Sequence, residues 1–106
     1  MARVELIFAT SPRGTPFAEP PLARLQRFLE EEVTPRFPDG FTLYTAYGQW
    51  RAPEGDIRRL DTRVLQIWYA PTPENDAKIE AIRDAYKRIW NHVSVMRIDG
   101  TDCVAF

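Results

Sequence analysis

The chain has 106 residues, 44% hydrophobic and 27% charged, with a formal net charge of −1 and a sequence pI of about 5.8. That length bounds a single domain, residues 1–106, with one core, and the apolar content excludes a disordered chain. The acidic pI leaves no electrostatic footprint for nucleic acid or an anionic membrane, and a lone cysteine, Cys103, excludes an intrachain disulfide and suits a reducing cytoplasm.

The opening MARVELIFATSPRG is an apolar run interrupted by Glu5, shorter than a signal-peptide core or a membrane span, which reads as a soluble cytoplasmic protein. Within it, Arg3–Thr10 is rich in branched and aromatic residues and predicts a first strand, closed by Ser11-Pro12-Arg13-Gly14. From about Pro21 the period changes. Leu22, Leu25, Phe28, Leu29 and Val33 recur at helical spacing, with Pro20 and Pro21 at the entrance and Pro35 disfavouring helix at Thr34. Phe37-Pro38-Asp39-Gly40 then makes a turn, and Phe41–Arg51 a second strand.

Ala52–Asp56 is a turn-rich loop and Thr62–Ala70 a third strand. Thr72-Pro73-Glu74 combines a capping hydroxyl, proline at N1 and a carboxylate at the positive end, and so predicts the start of a second helix. Its buried stripe is Ile79, Ile82, Tyr86 and Ile89 or Trp90, and it runs through Asn91. Val93–Ile98 reads as a fourth strand and Asp99-Gly100 as a tight turn, after which Cys103–Phe106 can add a short fifth edge strand with Cys103 in the core.

The order β-α-β-β-α-β predicts an α+β fold of the ferredoxin-like kind, a four-stranded antiparallel sheet with both helices on one face. Alternation then assigns the other face. Leu65, Ile67 and Tyr69 share one side of the third strand; Val64, Gln66, Trp68 and Ala70 share the other. In the second strand, Phe41, Leu43, Thr45, Tyr47 and Gln49 alternate with Thr42, Tyr44, Ala46, Gly48 and Trp50. Neither side is polar at every second residue, as a solvated face should be. A second copy of the same sheet is the simplest cover, so a homodimer or higher homo-oligomer is expected.

Three segments carry a family resemblance: VELIFA followed by Ser-Pro-x-Gly, FLEEEVTPRFPDGFT with GQWR, and IEAIRDAYKRIW with the closing strand. In that combination and spacing, over nearly the whole chain, the sequence resembles the domain-of-unknown-function family 3574. The resemblance implies a small bacterial protein and supplies no reaction. Where that family usually carries a glutamate shortly before the third strand, Asp61 is the nearest carboxylate here.

Arg36 and Asp39 flank the Phe-Pro turn, where a guanidinium and a carboxylate can bind an anion and move a proton, or simply pair and stabilise the turn. With Asp61 they are the catalytic candidates. Gln49, Trp50 and Arg51 can form a polar lip on an apolar cavity, Trp50 as its wall, with Tyr44 and Trp68 lining the face opposite the helices. The expected ligand is a small organic molecule, handled without a cofactor by proton transfer or isomerisation. A tautomerase using an N-terminal proline amine is disfavoured by Ala2. One histidine, His92, and one cysteine give no metal-ligand spacing, and no P-loop, GxGxxG or GxSxG motif occurs, so neither metal nor cofactor is expected. The alternative reading is a non-enzymatic, oligomerising interaction module. Base stacking on Tyr44 and Trp68 is disfavoured by the acidic pI and the missing RNP-like run.

Overall fold

A computed structural model describes residues 1–9, 22–92 and 94–106, with the backbone alone at residues 9, 22, 60 and 61. The expected turn at 11–14, the helix entrance at Pro20-Pro21 and the strand start at Val93 lie outside the described residues. Strand β1 spans Ala2–Ala9, helix α1 Leu22–Phe28, strand β2 Thr42–Arg51, strand β3 Ile57–Tyr69, helix α2 Pro73–Trp90 and strand β4 Met96–Thr101. The fold is α+β. The sheet is antiparallel throughout, in the order β2-β3-β1-β4, so β1 and β3 are central.

Alternation along β1 sends Val4, Leu6 and Phe8 to one side, and register places Ile67 and Leu65 of β3 beside the first two. These five are buried with Leu25, Phe28 and Val33 of the first helical segment and Ile79, Ile82 and Tyr86 of α2. Both helical stripes expected from the spacing therefore seat on one sheet face, with the side chain of Leu22 outside the described residues. At the start of α2 the Thr72 hydroxyl accepts from Asn75 N at 3.1 Å, and at its end Asn91 adopts the left-handed conformation, φ 54°, which asparagine tolerates.

Several boundaries differ from the sequence expectation. Helix α1 runs only to Phe28 and continues as a π turn, Leu29–Val33, in which Thr34 N donates to Leu29 O at 2.9 Å. The wider turn brings Val33 and then Phe37 into the core, and the chain closes with Gly40 N donating to Phe37 O. Strand β3 begins at Ile57, five residues before the expected Thr62, because Ile57–Asp61 pair with Tyr47–Arg51 across the Ala52–Asp56 turn. Glycine is required in that turn, where Gly55 has φ +98°.

The fourth strand is displaced towards the C-terminus, and Asp99-Gly100 is no turn: the two residues pair with Val4 and Arg3 inside β4. Gly100 serves packing instead, since a Cβ there would lie 2.6 Å from an Arg3 guanidinium nitrogen. No fifth strand forms at Cys103–Phe106. One further rung, with Met1 and Asp102 exchanging backbone hydrogen bonds at 3.0 and 3.1 Å, ends the ladder. Cys103 is exposed, not core.

Among the described residues β1 reaches β3 only as far as Thr62, and five further β2–β3 rungs continue beyond it as a two-stranded arm. The molecule measures 44 × 27 × 23 Å, with a radius of gyration of 14.9 Å, against about 13 Å for a compact domain of this size.

Candidate functional site

The sheet face away from the helices is a grid fixed by register. Its first row is Tyr44, Val64, Ile7 and Met96, running β2-β3-β1-β4; its second is Thr42, Gln66, Glu5 and Ile98; its third is Trp68, Arg3 and Gly100. Apolar side chains surround a polar centre. Tyr44, Trp68, Met96 and Ile98 are all exposed, from 39% to 61%. Arg3 donates from Nε to Asp102 at 2.6 Å and from Nη1 to Glu5 Oε1 at 2.9 Å, and the Gln66 amide donates to the same oxygen at 3.2 Å. Among the described residues no donor reaches Glu5 Oε2. The Asp102 hydrogen bond and charge, then those of Glu5, outweigh desolvation and push the Arg3 pKa above its ordinary value.

The residues singled out from sequence divide between separate places. Tyr44 and Trp68 lie on this grid. Trp50 shares the face but sits on the arm opposite Arg58, ten β3 residues from Trp68, or about 33 Å. Gln49 and Arg51 neighbour Trp50 in a strand and so point to the opposite face. There Tyr47 donates its hydroxyl proton to Gln49 Oε1 at 2.7 Å, which provides the glutamine's partner. Trp50 and the pair Gln49 and Arg51 therefore lie on opposite faces of β2. Arg36 pairs with Glu32 rather than Asp39, donating from Nη1 to the Glu32 carbonyl at 2.7 Å and its carboxylate at 2.9 Å. It fastens the end of the π turn, and Asp39 is exposed in the turn beyond. The Asp61 backbone pairs with Tyr47 in the arm.

Arg3, Glu5 and Gln66 escaped the sequence reading. Glu5 registered as a break in an apolar run. Its signal lies in the alternation Arg3-Val4-Glu5-Leu6, which puts two opposite charges on one side of a central strand.

A second ionic cluster joins β4 to α2. Arg97 donates to Glu80 at 2.8 Å and Asp99 at 3.1 Å and pairs with Asp76 at 2.8 Å, while Arg83 donates to Glu80 and to the Val95 carbonyl. Burial opposes the Arg97 charge, but its bonds to Glu80, Asp76 and Asp99 outweigh that and raise its pKa. The cluster is internally paired and fastens the helix to the edge strand.

Among the described residues no group of three or more His, Cys, Asp or Glu side chains could hold a metal ion. Among the same residues no helix is long and apolar enough to cross a membrane. Such a site, a carboxylate held between a guanidinium and an amide on an apolar sheet face, is the frame in which the comparisons with known proteins fall. Residues 3–106 match the family described as protein of unknown function (DUF3574), and the chain belongs to it. No curated protein and no solved structure matches the chain.

Proposed function

We propose that the chain works as a homodimer of ferredoxin-like subunits whose open sheet faces meet and hold a small organic molecule between them, with Glu5 as the group that exchanges a proton with it. The observation that carries this reading is the grid itself: a paired carboxylate, guanidinium and amide at the centre of exposed Tyr44, Trp68, Met96 and Ile98. Ligand sites have that composition, apolar walls with a few placed polar groups. The split βαβ strand order supports the scaffold.

A second copy fits this face because its charges are already matched within the subunit, so burial leaves no cation unpaired. The four-stranded part offers a footprint of about 400 Å² and the arm about 160 Å² more, so two copies bury roughly 1,100 Å², near the ~1,000 Å² a specific interface needs. Base stacking is less well supported, since Arg3 is the one cation in the three rows and is held by Glu5 and Asp102.

Two measurements test the reading. Light scattering should give twice the chain mass, and Ile98→Glu should reduce it to one chain with circular dichroism unchanged. A thermal-shift screen of small metabolites should then find a stabilising compound whose effect Glu5→Gln removes. A wild-type monomer would sink the proposal. A dimer that binds no compound would favour a non-enzymatic oligomerising module, a reading that the self-contained Asp102–Arg3–Glu5–Gln66 chain also supports.

A further inference from the structure

The centre of the open face is unbalanced in charge. Arg3 is the one cation in its three rows, and two carboxylates hold it: Nε donates to Asp102 at 2.6 Å and Nη1 to Glu5 at 2.9 Å. The rows together with Asp102 therefore carry one negative charge in excess. Glu5 stands in the middle row beside Gln66, near the centre of the four-stranded part. Two faces related by a twofold axis bring both excesses together across a gap of about 10 Å. Enclosing unpaired charge of one sign is costly, and an occupant of the opposite sign removes that cost.

The hydrogen-bonding groups are one-sided in the same sense. Glu5 Oε1 already accepts from Arg3 and from the Gln66 amide, the latter at 3.2 Å. Among the described residues no donor reaches Glu5 Oε2, Gln66 Oε1 or Asp102 Oδ1. On the donor side, Arg3 has committed Nε and Nη1, and its Nη2 lies over Gly100, 2.6 Å from where a Cβ would stand. The centre is thus rich in lone pairs and poor in donors. A primary ammonium group brings three N–H donors and a positive charge. The surroundings suit its carbon body. Ile98 is opposite Glu5 on β4, Ile7 is the next β1 residue on this face, and Trp68 is the diagonal neighbour on β3, about 7–8 Å away. Trp68 and Ile98 are 39% and 40% exposed, within reach of a ligand, and an indole face attracts cations.

We propose, on the reading that the open faces pair, that the molecule held between them is a primary ammonium compound with an apolar body. Its nitrogen donates to Glu5 Oε2, and Trp68, Ile7 and Ile98 contact its carbon atoms. The same excess of acceptors and negative charge disfavours carboxylates and phosphates there.

Benzylammonium chloride, benzyl alcohol and sodium benzoate share one carbon frame and differ in charge and donors. Butylammonium, butanol and butyrate repeat the comparison on an aliphatic frame. Each is titrated by calorimetry into the full chain at equal ionic strength, and light scattering gives the mass of the same sample. At twice the chain mass, an ammonium compound should bind at least tenfold more tightly than its alcohol, the difference one charge-assisted bond makes, and the carboxylate more weakly than either. Glu5→Gln should abolish that preference. Asp102→Asn, which keeps Glu5 but removes the excess charge, should narrow it severalfold and provides the reading if Glu5→Gln fails to fold or pair. A dimer that binds an alcohol or a carboxylate as tightly as the ammonium compound, or binds none of the six, overturns the ammonium assignment and leaves the pairing of the faces standing. So does a preference unchanged in both variants. A monomer overturns both.

Discussion

Glu5 and Gly100 act through the same arginine. Glu5 holds Arg3 from the neighbouring position on the same face, and Gly100 leaves room for the guanidinium where β4 passes. In Gly100→Ala the methyl group must displace the end of the Arg3 side chain and loosen its bonds to Glu5 and Asp102. Both pairs are partly exposed, so the expected effect is a small loss of stability in a urea titration. Arg3→Gln should lose a similar amount, and combining it with Gly100→Ala should cost little more, since both remove one interaction.

Tyr86 makes a pH prediction. Its folded pKa of about 12 lies above the ordinary 10.0, because burial disfavours the phenolate. The unfolded chain therefore releases this proton first. The contribution is fully present below pH 10 and is lost as pH rises from there through 12, by up to ~1.4 kcal/mol per pH unit. Tyr86→Phe cannot ionise, so its stability should fall less steeply than wild type over that range in alkaline denaturation curves. Parallel curves would mean that the hydroxyl is not shielded in solution.

At the scale of elements, the β2–β3 hairpin sets this chain apart from a plain four-stranded α+β sheet. Its inner rungs are backed by β1 and the core, and among the described residues its outer five are a ribbon with Tyr47, Trp50 and Ile57 exposed. Isolated two-stranded ribbons are marginal in water. Amides of Tyr47–Arg51 and Ile57–Asp61 should exchange hydrogen much faster than those of Leu43–Ala46 and Arg63–Ile67 in dilute protein. If the open faces pair as proposed, that difference should shrink as concentration rises. The arm was half legible in advance. Its turn residues and the alternation of β2 were plain, but Ile57–Asp61 (Ile-Arg-Arg-Leu-Asp) has three charged residues among five, and only pairing with β2 makes it a strand. The π turn was hidden for a related reason: Leu29 and Val33 stand four apart and fit an ordinary α stripe equally well.

For the whole molecule, the open face is the feature on which the proposed function rests. An exposed Tyr44, Trp68, Met96 and Ile98 on one side of a sheet is more apolar surface than a solvated face carries. If the open faces pair as proposed, Trp68→Arg should abolish self-association, as is expected of Ile98→Glu, and it should leave the core, across the sheet, at its wild-type stability when both proteins are compared as monomers. A large loss of intrinsic stability would place Trp68 in the core instead.

By itself the sequence determined the α+β class, the order of the elements, the two helix stripes and which residues of each strand share a face. Periodicity and capping are local, and these follow from them. Where side chains meet was another matter. The expected ligand residues Tyr44, Gln49, Trp50, Arg51 and Trp68 spread over two faces and about 33 Å of strand. Arg3, Glu5 and Gln66, none of them a site candidate from the sequence, came together because register sets β1 beside β3 with Glu5 opposite Gln66. Arg63 and Tyr86, 23 residues apart, both meet Phe8, one as its cross-strand partner and the other ring on ring. Register and packing are long-range choices made by burial across the whole core, and no window of neighbouring residues contains them.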